Sequence, residues 1–97
     1  MWILRSSADA EGGPYRFLMT AGRVRTLGRG PHADFVLDAA LVSRAHCRLT
    51  VADGELVVEN LGSTNGTFVN DRQVERSTLK TGDRLRAGRV ELTVSAE

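Results

Sequence analysis

One cysteine, two prolines, five aromatic residues and no long apolar run are all that this 97-residue chain carries of the features that mark many protein classes. Each scarcity excludes something. The lone Cys47 cannot close an internal disulfide, so nothing points to an oxidising compartment. No apolar stretch approaches the roughly 18 residues of a membrane span, and the N-terminus lacks the basic region and apolar core of a secretory signal. A soluble, intracellular protein with no membrane contact is expected. Charge of one sign is also missing: 13 basic residues face 12 acidic ones, for a net charge of +1. With so few aromatics, none of them interleaved among Arg23, Arg25, Arg29, Arg44, Arg48, Arg84, Arg86 and Arg89, direct binding of nucleic acid is not expected. His32, Asp34, His46 and Cys47 lack the paired spacing of a metal site, so neither a metal nor any other cofactor is expected.

What is present is ordinary globular material, 41% apolar and 26% charged, enough for one core over residues 1–97. Period-two patterning dominates. Cys47, Leu49 and Val51 alternate with His46, Arg48 and Thr50, and Tyr15, Phe17 and Met19 share a face. Strands are expected over 2–5, 15–20, 24–27, 35–37, 46–51, 56–59, 84–86 and 90–94, with a further short one at Phe68-Val69. Turns are marked by Ala21-Gly22, Gly28 to Pro31, Asp53-Gly54, Asn70-Asp71-Arg72 and Lys80 to Asp83. No window carries a helical period. Short strands with turns roughly every 8 to 12 residues predict an all-β sandwich or barrel.

Three loops hold unusual side chains. Leu61 and Phe68-Val69 bracket Gly62-Ser63-Thr64-Asn65-Gly66-Thr67, a run of small, hydroxyl-bearing residues whose backbone and side-chain donors can converge on one acceptor-rich ligand. Gly28-Arg29 follows a strand, and Ser43-Arg44-Ala45-His46 precedes one. Together the loops supply two guanidiniums, at least three hydroxyls and a carboxamide. A phosphate monoester suits that set, because it carries a charge of about −1.5 to −2 and three acceptor oxygens that arginine forks match. Ser43 and His46 form the only nucleophile and base pair in reach, and no acid adjoins them, so catalysis is not expected. All but one of the 13 basic residues are arginine, so nucleic acid is the stronger rival ligand. A phosphate-independent or self-associating interaction module is a third reading.

Gly28-Arg29, the Ser43-Arg44-x-His46 group, Leu61 to Thr67 with Val69-Asn70, and Leu79-Lys80-x-Gly82-Asp83-Arg84-Leu85 together resemble the forkhead-associated (FHA) domain over nearly the whole chain. That resemblance implies a β-sandwich of two twisted, largely antiparallel sheets with about eleven strands. It implies binding of phosphothreonine peptides in Ser/Thr-kinase signalling; separately, a monomer is expected. Residue by residue, it implies that Arg29, Ser43, Arg44 and Thr64 contact the phosphate or grip the peptide and that Asn65 holds the peptide backbone. Ser63 assists or reaches the ligand, Gly28, His46 and Gly66 support the loops, and Leu41 favours an aliphatic residue three places after the phosphothreonine. Asn60 stands where that family often has an acidic residue. A narrower likeness, in Met1-Trp2-x-Leu4, Gly13 to Arg16 and Ser77 to Arg84, is to the FHA domain of the DNA-repair protein nibrin, which would place the chain in a DNA-damage response.

Overall fold

The computed structural model describes all 97 residues, and all of its regular structure is strand. In chain order the strands are β1 (Trp2–Arg5), β2 (Arg16–Met19), β3 (Val24–Gly28), β4 (Phe35–Val36), β5 (Cys47–Ala52), β6 (Glu55–Asn60), β7 (Thr67–Val69), β8 (Arg72–Val74), β9 (Arg76–Leu79), β10 (Arg84–Ala87) and β11 (Val90–Ala96). They form a six-stranded sheet in the order β2-β1-β11-β10-β7-β8 and a five-stranded sheet in the order β4-β3-β5-β6-β9. Every pairing is antiparallel except β3 with β4. The expected two-sheet, largely antiparallel sandwich is what the chain forms.

Local chemistry explains the turns. Asp53 and Gly54, at φ of 54° and 78°, join β5 to β6, and Asn70 and Asp71, at 50° and 67°, join β7 to β8. Two consecutive left-handed residues give a turn whose twist matches that of the strands it joins, and Asn, Asp and Gly tolerate the conformation best. Along β5 the alternation puts Cys47, Leu49 and Val51 in the core. The facing sheet supplies Leu4, Leu85, Leu92 and Val94. At one edge the rings of Phe17 and Phe35 stack with centroids 4.5 Å apart, closing the two sheets on each other.

Two strands lie outside the sequence expectation. Residues 72–79, read only as following a turn, form β8 and β9, and the chain crosses between sheets at Glu75. Both are sheet edges, exposed along most of their length, and each has a single apolar residue, Val74 or Leu79, at its end, too few to make a core-facing period. The strand expected over 46–51 begins at Cys47, and His46 is fully buried instead of sharing an outer face with Arg48.

The segment between β4 and β5 has no regular structure, yet Leu37, Ala39 and Val42 belong to the core while Asp38, Ala40 and Leu41 are exposed. Apolar pins thus fix a loop that would otherwise move. The 6–15 loop reinforces it. The Asp38 N–H donates to the Tyr15 hydroxyl at 2.9 Å, that hydroxyl donates to the Glu11 carbonyl at 2.9 Å, and the Ala40 N–H donates to the Glu11 carboxylate at 2.9 Å.

Candidate functional site

The loops after β3, β4 and β6 meet at one end of the sandwich. The Ser43–His46 segment lies along the end of β3: the Arg29 N–H donates to the Ser43 carbonyl at 2.9 Å, the Gly30 N–H to the Arg44 carbonyl at 3.1 Å, and the His46 N–H to the Leu27 carbonyl at 2.9 Å. Buried Gly28 permits this close approach.

His46 ties two loops together. Its Nδ1 accepts the Ser43 N–H at 3.0 Å, so the ring carries its proton on Nε2, which donates to the Gly66 carbonyl at 2.8 Å. Both ring nitrogens are engaged and neither meets the Ser43 hydroxyl, so the pair has no nucleophile and base geometry. Cys47 beside it is equally inert, its thiol pushed up to about 12 by burial.

The third loop is organised by Asn60. Its Oδ1 accepts the hydroxyls of Ser63 and of Thr67, the latter at 2.9 Å, and its Nδ2 donates to Glu75 at 3.3 Å. Ser63 is therefore turned inward to brace the loop, and it does not line the groove described below. Thr67 is fully buried. Replacing Asn60 by Ala should strand that hydroxyl and cost about 1 to 3 kcal/mol, whereas Asn60→Asp keeps the acceptor and should cost less. Urea unfolding of the three proteins measures this, and an equal loss for Ala and Asp would show that the acceptor is not what matters.

The remaining residues surround a groove of about 350 Å3 lined by Arg29, Leu41, Ser43, Arg44, Thr64 and Asn65, with Ala40 and Val42. No carboxylate lines it. Arg29 is anchored through Nε, which donates to the Val42 carbonyl at 3.0 Å, and this leaves its terminal nitrogens free. Neither Arg29 nor Arg44 has an acidic partner within salt-bridge distance. The Ser43 Oγ accepts the Thr64 N–H at 3.1 Å, so its own proton remains available, and the Thr64 hydroxyl makes no bond within the protein. Asn65 Nδ2 donates to the Leu41 carbonyl at 2.9 Å, which fixes the carboxamide and leaves Oδ1 as an outward acceptor. The groove thus combines two unpaired guanidiniums, two free hydroxyl donors and one amide acceptor. The other arginines are dispersed: Arg48 pairs with Glu59 on one sheet, and Arg84 and Arg86 lie near Asp71 on the other.

Of the expected peptide-binding residues Arg29, Ser43, Arg44, Ser63, Thr64 and Asn65, all but Ser63 line the groove. Sequence reasoning overlooked Asn60 as the loop's organiser, although hydroxyls three and seven residues after an Asn are a usable local signal. It also missed Glu11 and Tyr15, whose contacts with 38 and 40 are too distant in the chain to leave a pattern.

The burial that holds His46 lowers its pKa, with desolvation outweighing the bond to Gly66. The unfolded histidine, near 6.5, takes a proton before the folded one does, so stability is full above about pH 6.5 and is lost as pH falls toward the depressed folded value. Protonation would also set an Nδ1–H against the Ser43 N–H. Unfolding midpoints at pH 7.5 and 5.5 should fall more for the parent than for His46→Asn, and a parent with no greater fall would show that the ring is not held neutral.

Comparison with known proteins gives a consistent result. A family model described as the FHA domain matches residues 25–88. The oxoglutarate dehydrogenase inhibitor of Corynebacterium efficiens is 39% identical over 71 residues, which are 73% of this chain and 50% of that protein. The glycogen accumulation regulator GarA of Mycobacterium tuberculosis is 36% identical over 77 residues, 79% of this chain and 47% of that protein. The chain therefore spans about half the length of the curated relatives it matches. Among solved structures, one from an analysis of phosphothreonine-dependent FHA domain interactions superposes with a TM-score of 0.88 at 30% identity, covering 99% of this chain and 96% of the other. The FhaA FHA domain complexed with the intracellular domain of Rv3910 gives 0.86 at 31% identity, covering 97% and 99%.

Proposed function

This chain belongs to the FHA domain family, and on that premise we propose that residues 1–97 form one module that binds phosphothreonine peptides in the groove between its apical loops and recruits phosphorylated partners in Ser/Thr-kinase signalling. The observation that carries the reading is the convergence of Arg29, Arg44, Ser43 and Thr64 on a groove without a carboxylate. The arginines pair with the phosphate, the hydroxyls of Ser43 and Thr64 donate to its oxygens, and Asn65 Oδ1 accepts a peptide N–H. Exposed Leu41 suits an aliphatic residue three places after the phosphothreonine. All these groups come from one copy of the chain, so a monomer suffices. The engagement of both His46 nitrogens and the regulatory names of the relatives support binding without catalysis. The same names, and the absence of a helix long and apolar enough to cross a membrane, fit an intracellular regulator.

Titration with one peptide in its phosphothreonine, phosphoserine and unmodified forms tests the proposal. Phosphothreonine should bind about fourfold tighter than phosphoserine, the worth of one buried methyl, and the unmodified peptide should bind far more weakly than either. Affinity should fall between pH 7.5 and 5.5 as the phosphate, with a second pKa near 6, gains a proton while arginine stays charged. Equal binding of all three peptides would overturn the proposal. A nucleic-acid ligand would instead show steep salt dependence, because its phosphodiesters gain no proton in this range.

A further inference from the structure

A second cleft, of about 500 Å3, shares Arg29 and Arg44 with the groove but includes none of Leu41, Ser43, Thr64 or Asn65. Apart from the two arginines it is lined by Gly30, Pro31, Ala33 and Ala45, which have no polar side-chain atom, and by Thr26 and His32. Much of its backbone is already engaged. The Gly30 N–H is held by the Arg44 carbonyl, the Ala33 N–H by the Gly30 carbonyl and the Thr26 N–H by the Asp34 carboxylate, and Pro31 has none. If the guanidinium heads are turned to a phosphate in the groove, what they leave facing this cleft is their methylene stems. The cleft is then an apolar recess bounded by two flat cations, and such cations also stack on aromatic rings.

We infer that this cleft takes one apolar side chain, aliphatic or aromatic, of the same phosphopeptide that the groove binds. The inference rests on the function proposed above. A peptide whose phosphate sits between Arg29 and Arg44 passes the lip of the cleft, and an extended chain advances about 3.3 to 3.6 Å per residue. A side chain within a few residues of the phosphothreonine therefore reaches it. The cleft is larger than the groove and lacks carboxylates, so it selects by shape and apolar area, where the groove selects by charge.

The test is a positional scan. Phosphothreonine peptides in an alanine background carry Leu, Phe or Asp singly at each position on either side of the phosphorylated residue. In the parent protein, Leu or Phe should bind at least about fivefold tighter than Ala at one position besides the third after the phosphothreonine, which Leu41 serves, and Asp should gain nothing there. In Ala33→Gln and in Ala45→Gln, each of which fills the cleft from a different side, that preference should shrink toward unity, while Leu41→Ala should leave it in place. Thermal melting confirms that each variant is folded. A preference for Asp, no apolar preference at any position, or a preference that disappears only with Leu41→Ala would overturn the inference. If the all-alanine phosphopeptide still outcompetes its unphosphorylated form in such a case, the cleft assignment alone has failed. If that discrimination is absent too, the phosphate-reading function has failed with it.

Discussion

Replacing Arg29 with alanine is expected to weaken binding of a phosphothreonine peptide at least about 25-fold while leaving the protein folded. Arg29 is held in place by its Nε bond to the Val42 carbonyl and has no acidic neighbour, so it lines the groove with its terminal nitrogens unpaired before any ligand arrives. Removing one partner of a hydrogen-bonded charge pair costs about 2 to 5 kcal/mol of binding, and each 1.4 kcal/mol is tenfold in affinity. The side chain is exposed, which favours the lower end of that range. The cost to the fold is one hydrogen bond, about 0.5 to 1.5 kcal/mol. Arg29→Lys keeps the charge but loses both the Nε tether and the planar fork, so it should fall between the parent and Arg29→Ala. Arg44→Ala should cost less than Arg29→Ala, because the Arg44 side chain makes no hydrogen bond within the protein and must be ordered when the ligand binds. Calorimetric titration at fixed ionic strength measures the series, and equal affinities of the parent and Arg29→Ala would remove Arg29 from the site.

How far the sequence discloses this arrangement depends on whether the signal is local. The alternation of Cys47, Leu49 and Val51 and the pairs Asp53-Gly54 and Asn70-Asp71 are local, and the strands and turns they announce are present. β8 and β9 are edges with one apolar residue each, Val74 and Leu79, so their strand character comes from the neighbours β7 and β6 and leaves no period to read. His46 shows the limit of period-two reasoning. Alternation assigns it an outer face only if the strand already runs through it, and here the strand starts one residue later. Ser63 shows another limit. Residue type supplied a hydroxyl, but whether it turns outward or toward Asn60 is set by the loop's path, which no neighbouring residue encodes. Arg29, Ser43, Arg44, Thr64 and Asn65 were legible because three spaced motifs had to share one end of a sandwich. The support that Glu11 and Tyr15 give the central loop was not, since it joins segments that only the finished fold brings together.

The glycine beside Arg29 should prove as important as the arginine, for a reason of space. A Cβ built on Gly28 would lie 2.0 Å from the Arg44 carbonyl oxygen, 2.7 Å from its carbonyl carbon and 3.0 Å from the Ser43 carbonyl oxygen. These are backbone atoms, so no rotamer change relieves the overlap. The loop must move away from β3, and the bonds joining them, Arg29 to Ser43, Gly30 to Arg44 and His46 to Leu27, are strained or lost. Overpacking costs about 1 to 3 kcal/mol and a broken hydrogen bond about 0.5 to 1.5, so Gly28→Ala should lose roughly 2 to 4 kcal/mol of stability. The same displacement separates Ser43 and Arg44 from Arg29. If it removes one charge-assisted bond to the phosphate, worth about 1.5 to 3 kcal/mol, affinity falls roughly 10- to 150-fold even in the fraction that remains folded. Gly30→Ala is the internal comparison, since its nearest contacts, at 3.2 Å, are the Arg44 Cβ and carbonyl oxygen, and a shift of a few tenths of an ångström accommodates them. Urea unfolding should therefore rank the parent above Gly30→Ala and Gly30→Ala above Gly28→Ala, with phosphopeptide affinity in the same order. If Gly28→Ala matched Gly30→Ala in both measurements, the close approach of β3 to the Ser43–Arg44 segment would not be what aligns the two arginines.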